Sequence, residues 1–413
     1  MPVKVTFLSL HGDPLAPLGG SHHGGQNVYV KELSSHLADL GFEVDIYSRW
    51  ESPDQPFTAP ITEGARVIRI KVGPPKPVQK EETLSLLPNV ARWLSQFWKE
   101  HQFKYDLIHS HYYFSGAVAI YLKDTKGISF CQTFHSLGAV KQKVLGSKDP
   151  SPKQRLKIER RICQSADRII ATAPQEKSDL RNLYETDPEK VNVIPAGVNL
   201  ELFHPLPQDE AKLEIGFSPQ DFLVTFVGRL EERKGIDTLL EAIHIVNNDK
   251  IQVVIVGGPP TKKDFLSWSE LGEKPYREYQ RLLEKFDLVG QVTFTGGKPQ
   301  HMLSRYYSAA DVTIIPSFYE PFGLTAIEAL ACGSSLIASS VGGLKTTVKE
   351  DHVGLQFEPR NPDDLADQIQ RLMSYPPLNE KFRKNARPYV EEKYSWSAVT
   401  EQIAEVYREV LSE

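Results

Sequence analysis

Val312–Gly333 reads VTIIPSFYEPFGLTAIEALACG, and its parts follow one another as strand, loop and helix. Val312–Pro316 is a short β-branched run closed by a proline, the pattern of a strand covered on both faces. Glu320, Pro321, Phe322 and Gly323 form the loop. From Leu324 the apolar positions Leu324, Ile327 and Leu330 keep helical spacing and form a buried face. A buried strand feeding a helix is the repeating unit of a parallel α/β sheet.

The same unit recurs on either side. Phe222–Gly228, Val253–Gly258, Val292–Gly296 and Leu336–Ser340 are strand-like, each with room for a helix before the next. In the first half, Val3–Leu10, Val44–Tyr47, Val67–Val72, Leu107–Ser110, Ile128–Thr133 and Ile169–Ala171 read as strands. A helix opens near Asn27, buries Val30, Leu33, Leu37 and Leu40, and stops at Gly41. Val193–Pro205 (VIPAGVNLELFHP), with two prolines and a glycine, suits a linker. At 413 residues the chain is too long for one ordinary core. The expected architecture is α/β: two Rossmann-like domains facing across a cleft. Residues 1–195 form the first, joined by a C-terminal helix at about 395–413, and residues 196–394 form the second.

Composition narrows the function. A net charge of −5 gives no global basic field, so no nucleic-acid partner is expected. No apolar run approaches roughly 18 residues, so no membrane partner is expected either. Cys131, Cys163 and Cys332 lack paired spacing and fit a reducing compartment, here the cytoplasm.

Ligands of open α/β sheets sit beyond the carboxyl ends of the strands. The loop after the first strand carries Gly19-Gly20 and Gly24-Gly25 and then opens a helix, a combination suited to phosphate. A flexible surface loop is the other reading, and the spacing is not that of a dinucleotide fingerprint. His22 and His23 read as solvated loop residues, and no metal site is expected. Arg229 and Lys234, in Gly228–Gly235 (GRLEERKG), stand where a pyrophosphate needs positive charge; alone, they would pass for a solvated turn. Amides near Gly323, Leu324 and Thr325 suit an anion. Glu320 and Glu328, eight positions apart, could take hydrogen bonds from sugar hydroxyls. A surface position for Glu328 is disfavoured by its neighbours Ala326, Ile327, Ala329 and Leu330.

With these motifs in order, the chain resembles the retaining glycosyltransferases of family 4, which have the GT-B fold, along nearly its whole length. Glu320 and Glu328, GRLEERKG, VIPAGVNLELFHP and GGQNVYV carry the resemblance together. It implies a nucleotide-sugar donor, UDP-glucose, used as substrate with no cofactor. Arg229 and Lys234 would clamp the diphosphate, with Gly24, Gly25 and the amides after Phe322 close to the donor. Glu320 would hold the donor sugar and Glu328 the ribose. His135, in TFHS, resembles the histidine at the reaction centre.

Within the family, HSHYYFSG and TFHSLGAVK resemble both sucrose-phosphate synthases and the inositol-phosphate N-acetylglucosaminyltransferases of mycothiol synthesis. Both use a phosphorylated acceptor, and the likeness implies Lys80, Tyr112, Ser136 and Arg155 as its phosphate ligands beside His135. Lys76 and Lys157 lie near enough in sequence to be alternatives, and Lys80 also reads as a free surface lysine. HSLG is shared with the synthases, while GGQNVYV and HSHY lean to the inositol-phosphate enzymes. His22-His23 replace the aspartate that usually precedes the glycine pair in the synthases. Fructose 6-phosphate is placed first, giving sucrose 6-phosphate. An epimerase of the same fold, a non-catalytic nucleotide-sugar binder and, with the dinucleotide fingerprint absent, a nicotinamide oxidoreductase are the rival classes.

Overall fold

The computed structural model describes residues 2–16, 24–146, 149, 151 and 153–412. The chain divides into two compact units. One holds residues 2–16, 24–196 and 396–412; the other holds 197–395.

The first unit runs β1 (Lys4–Leu8), α1 (Gly25–Asp39), β2 (Glu43–Arg49), β3 (Thr58–Thr62), β4 (Ala65–Ile70), α2 (Lys80–Glu100), β5 (Leu107–His111) and α3 (Tyr112–Lys126). It continues with β6 (Phe130–Thr133), α4 (Gly138–Leu145), α5 (Arg155–Ser165), β7 (Arg168–Ala171), α6 (Pro174–Tyr184) and β8 (Val191–Val193). The strand order is β3-β4-β2-β1-β5-β6-β7-β8, parallel throughout except for β3 against β4. From β1 the chain builds outward through β2, then returns to place β5 on the other side of β1. The β1/β5 boundary is therefore the topological switch point, where such sheets bind ligands.

The second unit runs α7 (Gln208–Glu214), β9 (Phe222–Val227), α8 (Ile236–Val246), β10 (Ile251–Pro260), α9 (Trp268–Leu271), α10 (Arg277–Lys285), β11 (Val292–Gly297) and α11 (Gln300–Ala309). Then come β12 (Val312–Ile315), α12 (Leu324–Ala331), β13 (Leu336–Ser339), α13 (Leu344–Thr347), β14 (Gly354–Phe357), α14 (Pro362–Ser374) and α15 (Pro376–Lys393). Its order, β11-β10-β9-β12-β13-β14, is parallel throughout and puts the switch point between β9 and β12. This is the GT-B architecture, two parallel-sheet α/β domains.

The last helix, α16 (Trp396–Ser412), belongs to the first unit. It buries Trp396, Val399, Ile403, Val406, Tyr407 and Val410, with Trp396 edge-on to Tyr29 of α1. At about 1.5–3 kcal/mol for each fully buried large side chain, that face accounts for its docking.

Three strands escape the periodicity. β3 is a half-exposed antiparallel edge, and β8 and β14 are short peripheral strands, so none shows the apolar run of a central strand. β8 also occupies Val193, so regular structure reaches the start of the expected linker. All three cysteines are free and buried. Among the described residues, no helix is long and apolar enough to cross a membrane, and no group of three or more His, Cys, Asp or Glu could hold a metal ion.

Candidate functional site

In the second unit, the loops after β9 and β12 meet at the switch point. Gly235, at φ 67, makes the approach possible: a Cβ there would stand 2.0 Å from the Pro316 carbonyl oxygen. The backbone amide of Phe318 donates to the Arg233 carbonyl (2.7 Å), tying the two loops together. Lys234 Nζ then reaches Glu320 Oε2 at 2.5 Å, across 86 positions of sequence. Arg229 Nη1 and Arg233 Nε take the two oxygens of Glu231, at 2.8 and 2.7 Å.

The electrostatics follow from this crowding. Burial pushes Glu320 up, yet Lys234, Arg233 and Arg229 outweigh it and hold the carboxyl below its ordinary range. Burial lowers Lys234 and Arg229 against the pull of their carboxylate partners. Three cations therefore converge on two carboxylates, a setting that would welcome an added anion.

Helix α12 begins beside this cluster. Gly323 is its N-cap at φ 95, where a Cβ would meet Leu344 Cδ2 at 2.6 Å. Ala326 N bonds back to Gly323 O, leaving the amides of Leu324 and Thr325 ahead of the helix's own ladder. Phe322 is buried under the loop. Glu328 is buried too, and its Oε2 accepts from Tyr307 Oη at 2.9 Å. Desolvation pushes Glu328 up to about 7. The two glutamates thus differ: one is ion-paired, the other accepts from a tyrosine and pairs with no cation among the described residues.

In the first unit, the loops after β1, β5 and β6 carry the other candidates. Gly24 precedes α1 and its amide donates to Asn27 Oδ1 (3.1 Å); Gly25 opens the helix and is exposed. Gly19, Gly20, His22 and His23 lie outside the described residues. His11, after β1, stacks on Tyr112, after β5, with ring centroids 4.9 Å apart.

Arg155, only 1% exposed, gathers most of the expected acceptor residues. Its Nη1 donates to Tyr112 Oη (3.3 Å). Its Nη2 donates to the Ser136 carbonyl (2.6 Å) and to Ser136 Oγ (3.0 Å), and its Nε to Glu159 Oε1 (2.7 Å). Gly138 is required beside it, since a Cβ there would stand 2.8 Å from Arg155 Nε. Lys80 Nζ lies 6.0 Å from the Tyr112 ring centroid. Lys76 and Lys157 are both exposed, so Lys80 and Arg155 are the ones brought together.

Lys141 is the residue that sequence reasoning passed over. Its side chain is 14% exposed and pairs with Asp149 at 3.0 Å. Burial, then the neighbouring Lys80, push its ammonium below the ordinary range despite Asp149. Its position six residues after His135 was the available signal, one helical turn into TFHSLGAVK.

His135 stands half-buried at φ 57, its ring stacked on His111 (5.3 Å, 27°) and edge-on to Tyr29 (5.0 Å). Its Nε2 lies 3.1 Å from His111 Nδ1. Beneath them His109 bonds Tyr407 Oη of α16 at 2.5 Å and Thr133 Oγ1 at 2.8 Å. Burial keeps these rings neutral, pushing His109 and His135 down to about 3 and His111 well below the ordinary value.

Known proteins match both units. The family described as Glycosyltransferase Family 4 matches residues 23–202, and the one described as Glycosyl transferases group 1 matches 207–389. A D-inositol 3-phosphate glycosyltransferase of Catenulispora acidiphila is 35% identical, covering 98% of this chain and 95% of its own length. One from Streptomyces bingchenggensis is 34% identical over 99% and 90%. A solved sucrose-phosphate synthase from Thermosynechococcus elongatus superposes with a TM-score of 0.89 at 34% identity, over 99% of both chains.

Proposed function

Because the chain belongs to the family 4 glycosyltransferases, we propose that it moves glucose from UDP-glucose to a phosphorylated sugar, with retention at the anomeric carbon. Fructose 6-phosphate is the acceptor placed first, and sucrose 6-phosphate its product. No cofactor is part of this scheme; the UDP-sugar is substrate. A cytoplasmic setting suits the three free, buried cysteines.

In this scheme Arg229 and Lys234 hold the diphosphate, helped by the α12 amides after Phe322 and Gly323 and by Gly24 and Gly25. Glu320 takes hydroxyls of the glucose and Glu328 those of the ribose. The acceptor hydroxyl attacks the anomeric carbon on the face that UDP leaves, and its proton passes to a phosphate oxygen. Catalysis is then positioning and stabilisation of charge on the departing phosphate. His135 contacts the transferred sugar.

The single observation behind a phosphorylated acceptor is the buried Arg155 node with Tyr112 and Ser136, flanked by Lys80 and Lys141. An epimerase would have no use for such a node. Likeness to the Thermosynechococcus enzyme favours fructose 6-phosphate. The named inositol 3-phosphate relatives favour a second reading, transfer to an inositol phosphate.

The test is UDP release from UDP-glucose with fructose 6-phosphate, with inositol 3-phosphate and with no acceptor, the sugar product identified by mass. Release only with fructose 6-phosphate supports the first reading; release only with inositol phosphate replaces it by the second. An isomerised donor formed without acceptor sinks both.

A further inference from the structure

We infer that His111 is a positioning residue: it donates from Nδ1 to His135 Nε2 and so fixes His135 in its Nδ1–H form, a neutral hydrogen-bond donor to substrate. The placement begins with β5, where residues two apart share a face. His109 and His111 consequently lie ring to ring, centroids 4.2 Å apart. Register sets His111 opposite Thr133 of β6, and the left-handed turn at His135 brings the latter's ring onto His111.

One proton lies between His111 Nδ1 and His135 Nε2 at 3.1 Å. Both rings are neutral, since burial opposes a charge on either and the imidazoles of His109 and His135 oppose it further on His111. Two arrangements remain. If His135 donates, His111 must keep its own proton on Nε2, a buried atom with no partner among the described residues. An orphaned buried N–H is the rarer and costlier defect. If His111 donates, only a lone pair is left unpartnered.

The second arrangement leaves the His135 proton on Nδ1. That nitrogen makes no bond to a described residue and, unlike Nε2 of His111, is not sealed off. An outward N–H can donate to a sugar hydroxyl or to an anionic oxygen. It cannot accept the acceptor's proton, so His135 is no general base. This role in the reaction rests on the proposed contact between His135 and the transferred sugar; the tautomer does not.

The test uses the full chain labelled with 15N-histidine, without substrate, and two-bond 1H–15N correlations assigned with His135→Gln. Wild type is expected to show His135 protonated on Nδ1. His111→Leu, which cannot donate, is expected to shift it toward Nε2–H and to lower kcat about tenfold, with KM for UDP-glucose little changed. His111→Asn places an amide nitrogen near the lost Nδ1 and is expected to restore the Nδ1–H signal and most of kcat. An Nε2–H or doubly protonated His135 in wild type overturns the inference. The expected tautomer together with unaltered kcat in His111→Leu instead overturns the substrate contact on which its catalytic meaning rests.

Discussion

Glu328→Gln is expected to stabilise the protein while weakening donor binding, and the stabilisation has a definite pH dependence. Glu328 is 8% exposed, and burial raises its carboxyl from 4.5 to about 7. A raised acid binds its proton more tightly in the native state. The associated stability is complete below pH 4.5 and is lost as pH rises through 7. With 1.36 kcal/mol per pKa unit, the loss amounts to about 3 kcal/mol at pH 8 and less than about 1 kcal/mol at pH 5. Glutamine has no charge to desolvate, and its amide oxygen can still accept from Tyr307. Urea unfolding of wild type and variant at both pH values should therefore show a gain at pH 8 that nearly vanishes at pH 5. UDP affinity, measured by calorimetry at pH 8, should fall roughly 10- to 150-fold for loss of a charge-assisted bond worth about 1.5–3 kcal/mol. Equal stabilisation at both pH values, or none at pH 8, refutes the desolvation account. Unchanged UDP affinity refutes the assignment of Glu328 to the ribose.

Lys234→Ala should weaken UDP binding about 100-fold and also destabilise the chain, because Glu320 loses its 2.5 Å partner; titration and urea unfolding read the two effects separately. Arg155→Met alone should cost about 3–5 kcal/mol by stranding the buried carboxylate of Glu159. Combined with Glu159→Gln it should recover stability yet keep a raised KM for the phosphorylated acceptor in the UDP-release assay. Gly323→Ala should cost at least about 1–2 kcal/mol, since it combines φ 95 with a 2.6 Å approach to Leu344; an unfolding midpoint equal to wild type would contradict it. The histidine trio sets the acid limb: unfolded imidazoles take up protons near 6.5, whereas His109 and His135 refuse them until about 3. Stability should thus fall as pH drops from 6.5 toward 3, and His109→Gln should make that fall shallower in acid-titrated denaturation.

Sequence alone determined the repeating strand–loop–helix units, because continuous β-branched runs and 3.6-residue spacing are local properties of the chain. It also picked out GRLEERKG, the Glu320–Gly323 loop and TFHS, each of which follows a central strand. It left β3, β8 and β14 unseen because edge strands lack an apolar signature. What each charged residue touches was decided by tertiary structure. Lys234 meets Glu320 because β9 and β12 are sheet neighbours despite 86 intervening positions. Arg155 rather than Lys157, and Lys80 rather than Lys76, is drawn to Tyr112 by burial that a single sequence does not display. The direction of the proton between His111 and His135 depends on a buried nitrogen with no partner among the described residues, and no spacing rule contains it. Pattern fixes which chain segments become strands and helices; strand order, desolvation and pairing, which need every neighbour at once, fix what their side chains do.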